Sequence, residues 1–77
     1  MAREKPFFAK RLKQLRQQAK LTQEQLAYRS GLSGAAIRHL EQGLREPTYA
    51  TLLKLADVLS VSLAAFEPKR RKKRREK

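Results

Sequence analysis

Residues 23–42 read QEQLAYRSGLSGAAIRHLEQ, and this stretch decides the fold. Apolar residues fall at Leu26, Ala27, Leu32, Ile37 and Leu40. One glycine, Gly31, stands between two short runs of helical spacing. The pattern predicts two short helices joined by a glycine turn. Such a pair has a known physical use: the second helix enters a DNA major groove while the first braces it.

The flanking residues continue the helical spacing outward. Phe8, Leu12, Leu15 and Ala19 mark one face of a first helix that ends near Lys20. Pro6 suits its first turn, where a missing N–H costs nothing. Thr22 with Gln25 three residues later forms a capping-box pattern for the second helix, which runs to about Ser30. Gly31 supplies the positive φ of a helix C-terminus. Ser33 caps the third helix, and Gly43 ends it. After the loop Leu44–Thr48, which holds Pro47, Thr48 caps a fourth helix with Leu52, Leu55, Ala56 and Leu59 as its buried stripe. Ser60 follows where a glycine would fit more easily. Ser62 caps a short fifth helix holding Leu63 and Phe66, and Pro68 closes the folded part. The expectation is an all-α chain of five helices without strands or repeats. Residues 1–5 form an N-terminal arm, 6–67 one domain, and 68–77 a basic tail that is disordered when free.

Size and charge narrow the function further. A chain of 77 residues holds one small domain, so a dimer interface could add needed burial. Net charge is +12, and the excess is uneven. Lys69–Lys77 carries eight bases and one acid, while residues 1–68 carry eleven bases and six acids. That balance calls for a polyanionic partner, nucleic acid above all. Cysteine is absent and His39 is the sole histidine, so no thiolate or multi-histidine metal site is expected. The carboxylates Glu24, Glu41, Glu46, Asp57 and Glu67 form no catalytic pair, and no serine finds a triad pattern. No glycine-rich phosphate loop is present. The expectations are therefore no enzyme, no cofactor and no small-molecule ligand. No apolar run is long enough for a membrane span, and MAREKPFFAK lacks a secretory apolar stretch, so an intracellular protein is expected.

The run LTQEQLAYRSGLSGAAIRHLEQGLREPTYATLLKLADVLSVSLAAF resembles the Cro/cI-type, or XRE-like, helix-turn-helix family of bacterial and phage repressors. The shared features are TQEQLA, G-L-S at the turn, I-x-x-L-E-x-G, and P-T before L-x-x-L-A-x-x-L and V-S-L. The likeness covers about residues 7–66. It implies a compact lambda-repressor-like five-helix domain that binds duplex DNA, most often as a two-fold dimer. It implies a cytoplasmic, nucleoid-associated regulator of a bacterium or phage.

Residue by residue, the resemblance makes Gln23 the residue that grips a phosphate, which suits a helix N-terminus. It places Ser33, Gly34, Ala35, Arg38 and His39 on the groove-facing side of the third helix. It pairs Arg16 with Glu41 as a structural ion pair between the first and third helices. The sequence departs from the family at Gly34-Ala35-Ala36, where polar side chains are common. Alanine can touch only a thymine methyl, so direct reading falls on Arg38 and His39, with Ser33 helping. Modest specificity and a large phosphate component follow.

Other residues carry two readings each. Arg45 offers a phosphate contact or is an ordinary surface charge. Tyr49 offers a hydroxyl to a phosphate or packs over the loop. Val61, Leu63 and Phe66 form a dimer patch or fill the core, and the dimer is preferred because one module with few base contacts reads little DNA. Lys69, Arg70, Arg71, Lys72 and Lys73 in the tail lie along phosphates and add counterion release. A localisation signal, RNA binding and an acidic protein partner are the other uses of such a run. Two rival functions accompany the regulator: a protein-interaction module such as an antitoxin or coactivator-like bridge, and a weakly specific binder dominated by the tail.

Overall fold

The computed structural model describes residues 6–67. The N-terminal arm and the basic tail expected from the sequence lie outside these residues. Four α-helices follow one another: α1 (Phe7–Gln18), α2 (Gln23–Ser30), α3 (Gly34–Gln42) and α4 (Tyr49–Leu59). A 3₁₀ turn, Leu63–Phe66, completes the unit, and no strand occurs among the described residues.

Each α-helix sends one fully buried side chain to a common centre: Leu12, Leu26, Ile37 and Leu55. Leu15, Leu21, Ala27, Leu40, Ala56, Leu59 and Phe66 surround them. The small Ala27 is 4% exposed, which lets α2 approach its neighbours closely. Apolar burial of this kind contributes roughly 25 cal/mol per Å². It is the force that holds α3 at a fixed angle to the rest.

The helix starts follow from their caps. Thr22 Oγ1 accepts the Gln25 backbone N–H at 3.0 Å, and Gln25 Oε1 accepts the Thr22 N–H at 2.9 Å, a complete capping box. Ser33 and Thr48 cap α3 and α4 by accepting the N–H groups of Ala36 and Thr51. Pro6 stands just before α1 rather than in its first turn, and its carbonyl accepts the Ala9 and Lys10 N–H groups.

The helix ends share one device. Lys20, Gly31, Gly43 and Ser60 all adopt left-handed φ, at 60°, 77°, 78° and 58°. After each, the next N–H turns back to a carbonyl five residues earlier: Leu21 to Arg16, Leu32 to Ala27, Leu44 to His39 and Val61 to Ala56. These bonds satisfy carbonyls that a helix end leaves unpaired. Three of the following residues, Leu21, Leu32 and Val61, also lie in or against the core.

Two expectations are corrected at the C-terminal end. The fifth segment is a single 3₁₀ turn, not an α-helix, and the Ser62 side chain makes no cap. Four residues cannot establish the cooperative hydrogen bonding of an α-helix. Phe66, expected to share a dimer patch, is 6% exposed and its ring centroid lies 5.2 Å from that of Phe8. That is the distance of a favourable tilted aromatic pair. Val61 and Leu63 are half-buried against the same core. Arg11 secures the turn by donating Nε–H to the Ala65 carbonyl at 2.8 Å.

Candidate nucleic-acid interface

The first turn of α3 is presented to solvent. Ser33, Ala35, Arg38 and His39 are exposed, while Ile37 and Leu40 point inward and anchor the helix. One helix thus carries a buried face and an outward face a single residue apart in sequence. A helix has the width to enter the major groove of B-DNA, where each base pair displays a distinct pattern of donors and acceptors.

Gly34 opens a gap at the start of α3, and the gap is shared. A Cβ placed there would meet Arg38 Nη1 at 4.0 Å and Glu24 Oε2 at 3.9 Å. The Arg38 guanidinium therefore leans back one helical turn. This is the ordinary direction for a long side chain on a helix. It brings the guanidinium beside the space that a side chain at position 34 would fill. Glu24, from the first turn of α2, was not singled out in the sequence. No local pattern reveals it, because only the crossing of α2 and α3 brings it to Gly34.

Behind this surface lies a charged brace. Arg16 Nε donates to Glu41 Oε2 at 2.6 Å, and Nη2 donates to Oε1 at 3.1 Å. A third donor, Nη1, reaches the Leu21 carbonyl at 2.8 Å. The Arg16 side chain is 12% exposed and that of Glu41 4%. This is the only ion pair among the described residues. The hydrogen bond that Arg16 donates to Glu41 raises the Arg16 pKa above its ordinary value; burial opposes the shift, and the charge of Glu41 adds to it. A raised cation contributes stability that is complete below its unfolded pKa and lost only as pH rises through the folded one. Arg16 therefore stays charged throughout the working range.

Gln23 joins the brace. Its Nε2 donates to Glu41 Oε1 at 3.1 Å, so the amide expected to grip a phosphate is held from α3. One N–H of that amide remains for another acceptor, beside the free backbone N–H groups at the start of α2. Arg45 stands in the loop after α3 and Tyr49 is the first residue of α4, and both are exposed, Tyr49 at 66%. A cleft of about 230 Å³ lies between α3 and the loop, lined by Ala36 and Leu40 on one side and Arg45, Pro47 and Thr51 on the other, with Leu32. No group of histidine, cysteine and carboxylate residues suited to a metal occurs among the described residues.

The fold and this surface together define a helix-turn-helix domain: a buried brace, a glycine turn and a second helix with its polar side outward. The chain belongs to the XRE-type helix-turn-helix family, whose model matches residues 12–66. A relative in Bacillus subtilis (strain 168), the uncharacterized HTH-type transcriptional regulator YqaE, is 43% identical over 57 residues, 74% of this chain and 49% of that protein. The restriction-modification controller protein C.AhdI from Aeromonas hydrophila superposes with a TM-score of 0.76 at 35% identity, covering 78% of this chain and 91% of that one. The P22 c2 repressor, solved in complex with a synthetic operator, superposes with a TM-score of 0.72 at 29% identity, over 77% of this chain and 89% of that one. The chain spans about half or less of the length of the first curated relatives it matches.

Proposed function

We propose that this chain is a sequence-specific, double-stranded DNA-binding transcriptional regulator that reads the major groove with α3. The observation that carries the reading is the outward turn of α3, where Ser33, Ala35, Arg38 and His39 stand exposed over a buried anchor of Ile37 and Leu40. Arg38 donates to guanine, the best-matched partner of a guanidinium in the groove. His39 and Ser33 add adjustable polar contacts, and the Ala35 methyl suits a thymine methyl. Gln23, Arg45, Tyr49 and the basic residues 69–73 hold phosphates. Regulation follows from occupying promoter DNA, in the cytoplasm and at the nucleoid. No helix is long and apolar enough to cross a membrane among the described residues.

Two copies on a near-palindromic site would read twice the sequence, with half-sites about 34 Å apart. Val61 and Leu63, half-buried against the core, keep part of their surface for that contact, whereas Phe66 serves the core. The burial of Phe66 leaves the protein-interaction alternative only the half-buried Val61 and Leu63 at this place. The chain has no catalytic or cofactor role in this reading.

The test is Arg38→Ala, assayed on duplexes selected from a random library by the unaltered chain. Loss of about tenfold in affinity with relaxed preference at one base position is expected. Unchanged affinity and preference would remove α3 from the interface.

A further inference from the structure

We infer that Glu24 is a positioning residue for base recognition, biasing the Arg38 guanidinium toward the gap left by Gly34. The inference rests on the reading of α3 as the groove-facing helix. Glu24 Oε2 and Arg38 Nη1 lie 3.9 and 4.0 Å from one point, the Cβ position of Gly34. They come from different helices, α2 and α3. Both residues are exposed, and they are not within ion-pair contact in this structure. The guanidinium keeps its donors free while a carboxylate stands close by.

Charge explains why that neighbour matters. A guanidinium leaning toward the N-terminus of its own helix opposes the positive end of the helix dipole. Alone it would swing outward to the nearest phosphate, since an exposed arginine has many rotamers and the duplex is lined with anions. A carboxylate on the far side of the gap offsets the repulsion and draws the guanidinium back over Gly34. It also repels phosphate from the same place. Arg38 is thereby biased toward base edges and away from the backbone.

Gly34 is part of the device. A side chain there would occupy the space in which the two charges approach. One methyl group fits, because both contacts to it would be ordinary van der Waals distances. The plain alternative is that Glu24 merely complements the dipole at the start of α2. In that case its removal costs a little stability and leaves base preference untouched.

The experiment compares the full chain with Glu24→Gln, Arg38→Ala and the double variant. Each is put through selection on random duplexes and then titrated on the selected site and on a scrambled duplex. Thermal melting confirms that each variant is folded. In Glu24→Gln, preference should fall about fivefold to tenfold at the base position that Arg38→Ala flattens, while binding to scrambled DNA tightens. The double variant should be no less selective than Arg38→Ala alone. A Glu24→Gln preference equal to that of the unaltered chain overturns the inference. So does a change at a different base position, or effects that add independently in the double variant. If Arg38→Ala itself leaves preference unchanged, the reading of α3 fails first and this inference falls with it. If only Glu24→Gln is silent, the inference fails alone.

Discussion

Glu41 is a carboxylate with almost no water around it, and its three hydrogen bonds decide whether that is tolerable. Two come from Arg16 and one from Gln23. Removing Arg16 strands a buried charge, a change that costs roughly 3 kcal/mol or more. Arg16→Met should therefore lower stability by about that amount, a large share of what a small domain has. Arg16→Met with Glu41→Met removes the charge as well as its partner, and most of the loss should be recovered. Urea denaturation of the three proteins checks this. A double variant as unstable as the single would show that the brace is worth more than the charge it neutralises. The Arg16–Glu41 pairing was legible from the family pattern. The Gln23 and Arg11 bonds were not: Arg11 meets a carbonyl 54 residues away, and nothing local marks it. Glu24 was hidden for the same reason.

At the scale of helices, most of the fold could be read from capping chemistry. Threonine or serine at the starts and glycine at two of the ends leave little freedom for α2, α3 and α4. The 3₁₀ turn was misread as a fifth helix because a capping serine before two apolar residues looks the same in either case. The left-handed residues permit a paired prediction. Gly31 has φ 77° and open space around its Cβ position, so Gly31→Ala meets no clash and its cost is purely conformational. A loss of about 1 kcal/mol is expected. Ser60 holds φ 58° with a side chain already present. Ser60→Gly should therefore gain about 0.5–1 kcal/mol, reduced by the extra freedom glycine has in the unfolded chain. A gain of 1 kcal/mol shifts the melting temperature by about 4–8 °C in a domain this small. Calorimetry on both variants decides the matter. If both changes destabilise, helix termination at Ser60 depends on the hydroxyl rather than on φ.

For the molecule as a whole, two sources of affinity act on different observables. In the proposed reading, the turn of α3 supplies base preference through a few side chains. In the same reading the basic charge supplies phosphate affinity, and the net charge of +12 exceeds what one helix face can use. Eight of the bases fall within Lys69–Lys77, outside the described residues. Each phosphate neutralised contributes about −0.9 to the slope of log affinity against log salt. If the tail lies along the duplex, deleting Lys69–Lys77 should shrink that slope by several, up to about 7, and weaken selected and scrambled duplexes alike. Base preference should survive if α3 is the element that reads the bases, as proposed. Fluorescence titrations of both duplexes from low to moderate salt measure the two quantities at once. An unchanged slope would take the tail off the DNA. Loss of all binding, preference included, would make the tail the principal binding element and reduce α3 to an accessory. The separation is physical: counterion release is blind to sequence, and a guanidinium aimed at a base edge is not.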